Sequence, residues 1–185
     1  MDIGKTVNQE SKEPIKITMT LPTSAYFMSG IRDFTLSLTK NMTGFSNRWA
    51  YRFQSVVDEL CNNAIEHGSA AGKEIRITFV SIGDDSIEVY VEDTGTGATK
   101  MTAAQMYDML QERKNPDYIQ HLGIRGRGLP KIVAEWTDEL EFKDREGGGL
   151  VIRVKKKLDA KESARLEAEN PEPTHIVLTP SPKLS

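Results

Sequence analysis

Three groups of residues in this chain have the types and spacing to do chemistry. The first is Glu59-x-x-x-Asn63, a carboxylate and an amide one helical turn apart. The second is Asp93-x-Gly95-x-Gly97, a carboxylate followed at once by a glycine-rich turn. The third is Gly123-x-x-Gly126-x-Gly128-Leu129, a glycine cluster leading into an apolar helical pattern. A carboxylate can take a proton and an amide oxygen can hold a hard cation. Backbone N–H groups at a helix start can meet phosphates. Singly each signal is weak, because a lone glycine turn is usually only a turn. The third group is not a dinucleotide fingerprint, since no parallel βαβ unit surrounds it. It is not a Walker-type loop either, because no Gly-Lys-Ser/Thr occurs.

The elements that must position these groups follow from periodicity. Phe53, Val56, Val57, Leu60, Cys61, Ala64 and Ile65 fall at helical spacing, within a helix expected from Asn47 to His67 with Gly68 as a left-handed cap. At 100° per residue, Asn63 lies beside that apolar stripe and Glu59 one step further round, at the rim between core and cleft. Asn62 and Glu66 rotate toward water. Ile87, Val89 and Val91 alternate along a strand, and Asp93 continues their inward register. A carboxylate at a buried strand end is costly unless something hydrogen-bonds it, so the period alone marks a pocket.

The remaining elements read as strand, two helices, hairpin, irregular segment, helix and hairpin. Ile15, Ile17, Met19 and Leu21 form a half-buried strand stopped by Pro22, and Thr23 or Ser24 caps a helix with Phe27, Ile31, Phe34 and Leu38 inward. A hairpin spans Ile75–Val91 around Gly83-Asp84-Asp85. A short helix is expected over Thr102–Glu112, with Ala103, Met106, Met109 and Leu110 inward. A further stripe is Leu129, Ile132, Val133 and Trp136. Strands at Glu139–Lys143 and Leu150–Lys156 close on the turn Arg145–Gly149. Helices and hairpins segregate rather than alternate. That predicts an α+β, two-layer α/β sandwich with a mixed, mostly antiparallel sheet and helices on one face. Residues 1–13 read as a flexible tail, 14–158 as the folded domain, and 159–185 as a charged, then proline-rich extension. That extension holds a weak helical pattern over Asp159–Asn170 and a candidate edge strand at His175–Leu178.

Composition excludes several classes. The net charge of −3, from 24 basic and 27 acidic residues, gives no electrostatic footprint for direct nucleic-acid binding. No apolar run is long enough for a membrane span, and no signal-peptide region opens the chain, so a cytoplasmic location is expected. The single cysteine, Cys61, allows no internal disulfide and reads as a buried core thiol. His67 has no second histidine nearby and reads as structural.

In this order and spacing the three groups resemble the N, G1 and G2 boxes of the GHKL ATPases. That superfamily takes in gyrase, a class of chaperones, sensor histidine kinases and mismatch-repair ATPases. The run Glu59-Leu60-Cys61-Asn62-Asn63-Ala64-Ile65-Glu66-His67-Gly68 looks most like the anti-sigma-factor serine kinases. The resemblance covers roughly residues 15–157. It implies the GHKL ATP-binding fold and a protein-serine kinase dependent on ATP and Mg²⁺. Such a kinase phosphorylates a small anti-sigma-factor antagonist protein, sequesters a sigma factor and usually forms a homodimer.

Position by position, the resemblance makes Glu59 the general base and Asn63 the Mg²⁺ ligand. Asp93 accepts a hydrogen bond from the adenine amino group, and Gly95 and Gly97 let the backbone approach the base. Gly126 and Gly128 bring N–H groups to the phosphates, with Gly123 and Leu129 in the same box; Arg125 and Arg127 could meet phosphate charge. The chain departs from the subfamily at Leu129-Pro130-Lys131 and in its extension beyond Lys157. Two other readings fit the same residues. One is an ATP-binding interaction module without kinase turnover. The other is a detached histidine-kinase catalytic domain, against which no phosphoacceptor helix pair is present: His67, His121 and His175 all lie elsewhere.

Overall fold

The first described element is strand β1 (Ile15–Pro22). The structure, a computed structural model, describes residues 14–82, 86–113 and 136–159, with positions 161 and 164. The two tails, the turn 83–85 and the segment 114–135 lie outside the described residues. So do the expected patterns at Leu129, Ile132 and Val133, at most of 159–170, and at His175–Leu178.

Ser24 closes the turn after β1, its Oγ accepting from the Tyr26 N–H. Thr23 is used differently: its hydroxyl donates to the Ala70 carbonyl at 2.9 Å, tying this turn to the chain beyond the central helix. Helix α1 (Met28–Met42) follows. Its buried stripe is Met28, Ile31 and Leu38, joined by Thr35 and Thr39, while Phe27 and Phe34 stay half-buried. The two threonines tolerate burial because each hydroxyl donates to the carbonyl one turn back, at 2.7 and 2.8 Å. Helix α2 (Asn47–Asn63) starts on a Ser46 cap and buries Trp49, Ala50, Phe53, Val56, Val57, Leu60 and Cys61. Burial pushes the Cys61 thiol up to about 12, so it stays protonated and apolar.

The expected single helix to His67 is interrupted. Regular α-helix stops at Asn63, and Ala64–Gly68 form one wider π turn. Gly68 is not left-handed, unlike Gly72 and Gly95. Its lack of a side chain serves another purpose, described below.

Strands β2 (Glu74–Ile82) and β3 (Ser86–Glu92) pair antiparallel, and helix α3 (Ala103–Arg113) leads toward β4 (Glu139–Asp144) and β5 (Leu150–Lys157). The sheet order is β1-β2-β3-β5-β4, every neighbour antiparallel. Registers Ile17↔Phe79, Ile77↔Val91, Val91↔Ile152 and Val89↔Val154 stack one apolar face against α1 and α2. That two-layer α+β arrangement is the one the period of each element predicts. The opposite face of β3 carries Glu88 and Tyr90. Trp136 packs against this core, and the Arg52 guanidinium lies over both the Trp49 and Trp136 rings. Among the described residues no helix is long and apolar enough to cross a membrane.

Candidate functional site

Between the end of α2, the loop after β3, helix α3 and the β4–β5 turn lies a cleft of about 800 Å³, a size suited to a cofactor-sized ligand. Glu59 and Asn63 line it; Asn62 and Glu66 do not. The helix angle therefore separates the two neighbouring asparagines as expected. The Asn63 Nδ2 donates to the Glu59 carbonyl at 2.8 Å and to Glu59 Oε1 at 3.2 Å. Two acceptors facing one edge of the amide require that edge to be the NH₂. The Asn63 Oδ1 is thereby turned away from Glu59, free to meet a cation or a donor. Among the described residues no three His, Cys, Asp or Glu side chains cluster as a metal site. A hard cation here would draw most ligands from phosphate oxygens and water, with one amide oxygen from the protein, a donor set that suits Mg²⁺.

Asp93 forms the floor and is buried, as the strand period requires. Its Oδ1 accepts from the Gly95 N–H at 2.8 Å and the Leu150 N–H at 3.2 Å. Its own N–H donates to the Leu150 carbonyl at 3.0 Å. Burial raises the carboxyl above its ordinary range, while the two N–H donors and the nearby Arg145 charge pull the other way. A side chain on Gly68 would place its Cβ 2.5 Å from Asp93 Cγ. Gly68 is a glycine because the carboxylate passes against it. Oδ2, with no protein donor among the described residues, remains an acceptor for a ligand.

Hydroxyls lace the loop behind this floor. Ser69 Oγ donates to the Glu74 carbonyl and accepts from both the N–H and the hydroxyl of Thr94, at 2.9 and 3.0 Å. Thr94 and Thr96 share a hydroxyl contact at 2.7 Å, and Thr96 Oγ1 accepts from the Ala70 N–H. Gly95 lines the cleft, but Gly97 does not: it stands behind the wall with its N–H donated to the Gly68 carbonyl at 3.1 Å. His67 lines the opening, exposed, beside Glu66. Gly123, Arg125, Gly126, Arg127, Gly128 and Leu129 lie outside the described residues.

Other lining residues were not expected from the sequence. Met101, Met106 and Met109 offer soft apolar surface, and Leu150 and Ile152 extend it from β5. The signal for β5 existed, since Leu150 and Ile152 share the inward register of Val91 and Asp93. The sequence marks 145–149 only as a turn. Its Gly147, Gly148 and Gly149 all have left-handed φ, of 87°, 103° and 93°. A Cβ on Gly149 would strike the Asp93 carbonyl oxygen, and one on Gly95 would strike the Gly149 backbone. Two backbones thus approach each other more closely than any residue with a side chain permits.

An apolar-walled cleft, one buried acceptor at its floor and an amide–carboxylate pair at its rim suit a purine nucleotide with its phosphates toward the rim. A profile described as the histidine kinase-like ATPase domain matches residues 22–156. The anti-sigma F factor of Heyndrickxia coagulans is 25% identical over 111 residues, covering 58% of this chain and 69% of that protein. The anti-sigma F factor of Clostridium perfringens (strain SM101 / Type A) is 30% identical over 108 residues, covering 57% and 71% respectively. With residues of the first two motifs lining one cleft and a profile spanning most of its length, this chain belongs to the histidine kinase-like ATPase domain family, whose domains bind ATP.

Proposed function

We propose that the protein is an ATP- and Mg²⁺-dependent protein-serine kinase of the anti-sigma-factor type. Its substrate is a serine on a small antagonist protein. Its second partner is a sigma factor, held while the antagonist is inactive, and the working form is a homodimer. The observation that carries the reading is the Glu59–Asn63 pair at the rim of a cleft floored by Asp93. Similarity to two anti-sigma F factors supports the choice within the family.

The residues divide the work by position. Asp93 Oδ2 accepts from the adenine amino group, with the Gly95 backbone alongside. Asn63 turns its Oδ1 to Mg²⁺ and its amide to Glu59, so one side chain orients both the metal and the base. The metal, when bound, neutralises phosphate charge. Glu59 takes the proton of the incoming serine hydroxyl as that oxygen bonds to the γ-phosphorus and the bond to the β-phosphate oxygen breaks. Such transfer depends chiefly on positioning and charge stabilisation. The serine hydroxyl is a weak nucleophile, so loss of its base costs about 10²–10⁴ in rate.

The test is phosphoserine formation on an antagonist-type protein with Mg-ATP labelled at the γ-phosphate. Glu59→Ala abolishes transfer and spares nucleotide binding, whereas Asn63→Ala weakens both. Tight ATP binding with no transfer to any antagonist would sink the kinase reading and leave a nucleotide-switched interaction module.

A further inference from the structure

Arg145 lines the cleft at the start of the glycine turn between β4 and β5, and neither the motifs nor the proposed chemistry uses it. Its main chain closes that turn: its N–H donates to the Gly149 carbonyl at 2.9 Å, and its carbonyl accepts from the Gly148 N–H at 3.0 Å. Its side chain reaches back across the cleft floor. Nη1 donates to the Asp93 carbonyl at 3.3 Å, and Nε lies 3.6 Å from Glu92 Oε2. One residue thus fixes the turn internally and clamps it onto the end of β3. The docked turn is what delivers the Leu150 N–H to Asp93 Oδ1 and brings the Gly149 backbone against the Asp93 carbonyl.

From this we infer that Arg145 is the positioning residue for Asp93 and through it sets the preference for an amino-bearing purine over an oxo-bearing one. The inference rests on the nucleotide reading of the cleft. With Oδ1 engaged by the Gly95 and Leu150 N–H groups, the carboxylate has one orientation, and Oδ2 is the acceptor left for the ligand. An adenine amino group donates to it; a guanine carbonyl at the same place opposes it. When the clamp is released, β5 keeps its pairing with β3 and Gly95 its bond to Oδ1, but the Leu150 N–H at the turn's edge is held less firmly on that oxygen and the carboxylate orientation loosens. The preference then falls.

Arg145 also supplies positive charge beside a carboxyl that burial pushes upward. Among the described residues, the other titratable groups around Asp93 are Glu59 on α2, His67 on the π turn, Glu92 on β3, Lys100 in the following loop and Asp144 on β4. Arg145 touches the Asp93 main chain directly, so its removal favours the protonated carboxyl. That form accepts less well, and ATP affinity is lost as pH falls through its pKa.

The experiment is calorimetric titration of the full chain with ATP and with GTP in magnesium buffer, from pH 5.5 to 8.5, for wild type, Arg145→Ala and Arg145→Lys. Arg145→Ala should weaken ATP about tenfold, part of the roughly hundredfold expected when the Asp93 bond to the ligand is lost outright, and leave GTP unchanged. The acid limb of its ATP affinity should move to higher pH. Arg145→Lys keeps the charge but not the planar fork. It should therefore hold the acid limb near wild type while still lowering the ATP-to-GTP ratio, and it carries the test if Arg145→Ala fails to fold. A merely structural role lowers the melting temperature without changing that ratio. Equal loss for ATP and GTP, or an unchanged ratio in both variants, overturns the inference alone. Wild-type protein that binds no ATP overturns the nucleotide reading and this inference with it.

Discussion

Glu88 and Asp93 are two buried carboxylates on one strand and its continuation, facing opposite sides of the sheet. Their surroundings differ in kind. Glu88 is held by full charges: Arg153 donates through Nε at 3.1 Å and Nη2 at 3.0 Å, Lys155 Nζ lies at 2.9 Å, and Tyr90 adds its hydroxyl at 2.8 Å. Arg153 continues outward to Glu139 and Glu141 on β4. The Arg153 hydrogen bonds hold the Glu88 carboxyl down at about 2. Asp93 receives two backbone N–H groups on one oxygen, and Arg145 gives its hydrogen bond to the main chain instead. Burial therefore wins, and its carboxyl is raised. A buried acid with every oxygen compensated cross-links strands. A buried acid with one oxygen left over is waiting for a donor that the described residues do not supply.

Mutations on the two faces should separate stability from binding. Arg153→Ala leaves Glu88 buried with its main partner gone. The unfolding free energy should fall by about 3 kcal/mol in denaturant titration, with ATP affinity unchanged. If ATP binding falls in proportion, the two faces are not independent. Asp93→Asn does the reverse: its amide oxygen still accepts the two N–H groups, but an NH₂ now meets the ligand amino group. ATP affinity should drop about a hundredfold, the loss of a charged hydrogen bond, while the melting temperature holds. Unchanged affinity would remove Asp93 from the adenine site.

Acid provides a graded version of the contrast. The Glu88 carboxyl is depressed from 4.5 to about 2, so its stabilisation is complete above 4.5 and is lost as pH falls through about 2. Glu88→Gln should flatten the stability curve over that window by about 3 kcal/mol, read from thermal melts at successive pH values. The smallest change is expected at Thr18, whose hydroxyl meets that of Thr78 across β1 and β2 at 3.0 Å. Thr18→Val should cost about 0.5 kcal/mol in the same melts and nothing in nucleotide titration.

How legible the site was depended on how local its cause was. The strand period placed Asp93 on the buried face because alternation needs only neighbouring residues. The helical angle chose Asn63 over Asn62 for the same reason. Gly68 departs from its local signal: a glycine after a helix suggests a left-handed cap, yet here it makes room for a carboxylate 25 positions away. The π turn has no local signal: Ala64, Ile65 and Glu66 are ordinary helix residues, and the widening shows only in the backbone. Arg145–Gly149 was correctly located as a turn, but its docking against Asp93 depends on β3 pairing with β5, which no local pattern announces.

That pairing sets when the cleft can come into being. The β2–β3 hairpin joins close neighbours in sequence, but the Leu150 N–H reaches Asp93 across 57 positions. Contacts of such separation form late, after the entropy of closing the intervening chain has been met. During folding, then, the floor of the cleft is among the last parts to be assembled. Any ligand that recognises it binds only molecules that have already closed the β3–β5 seam, and by mass action holds them closed.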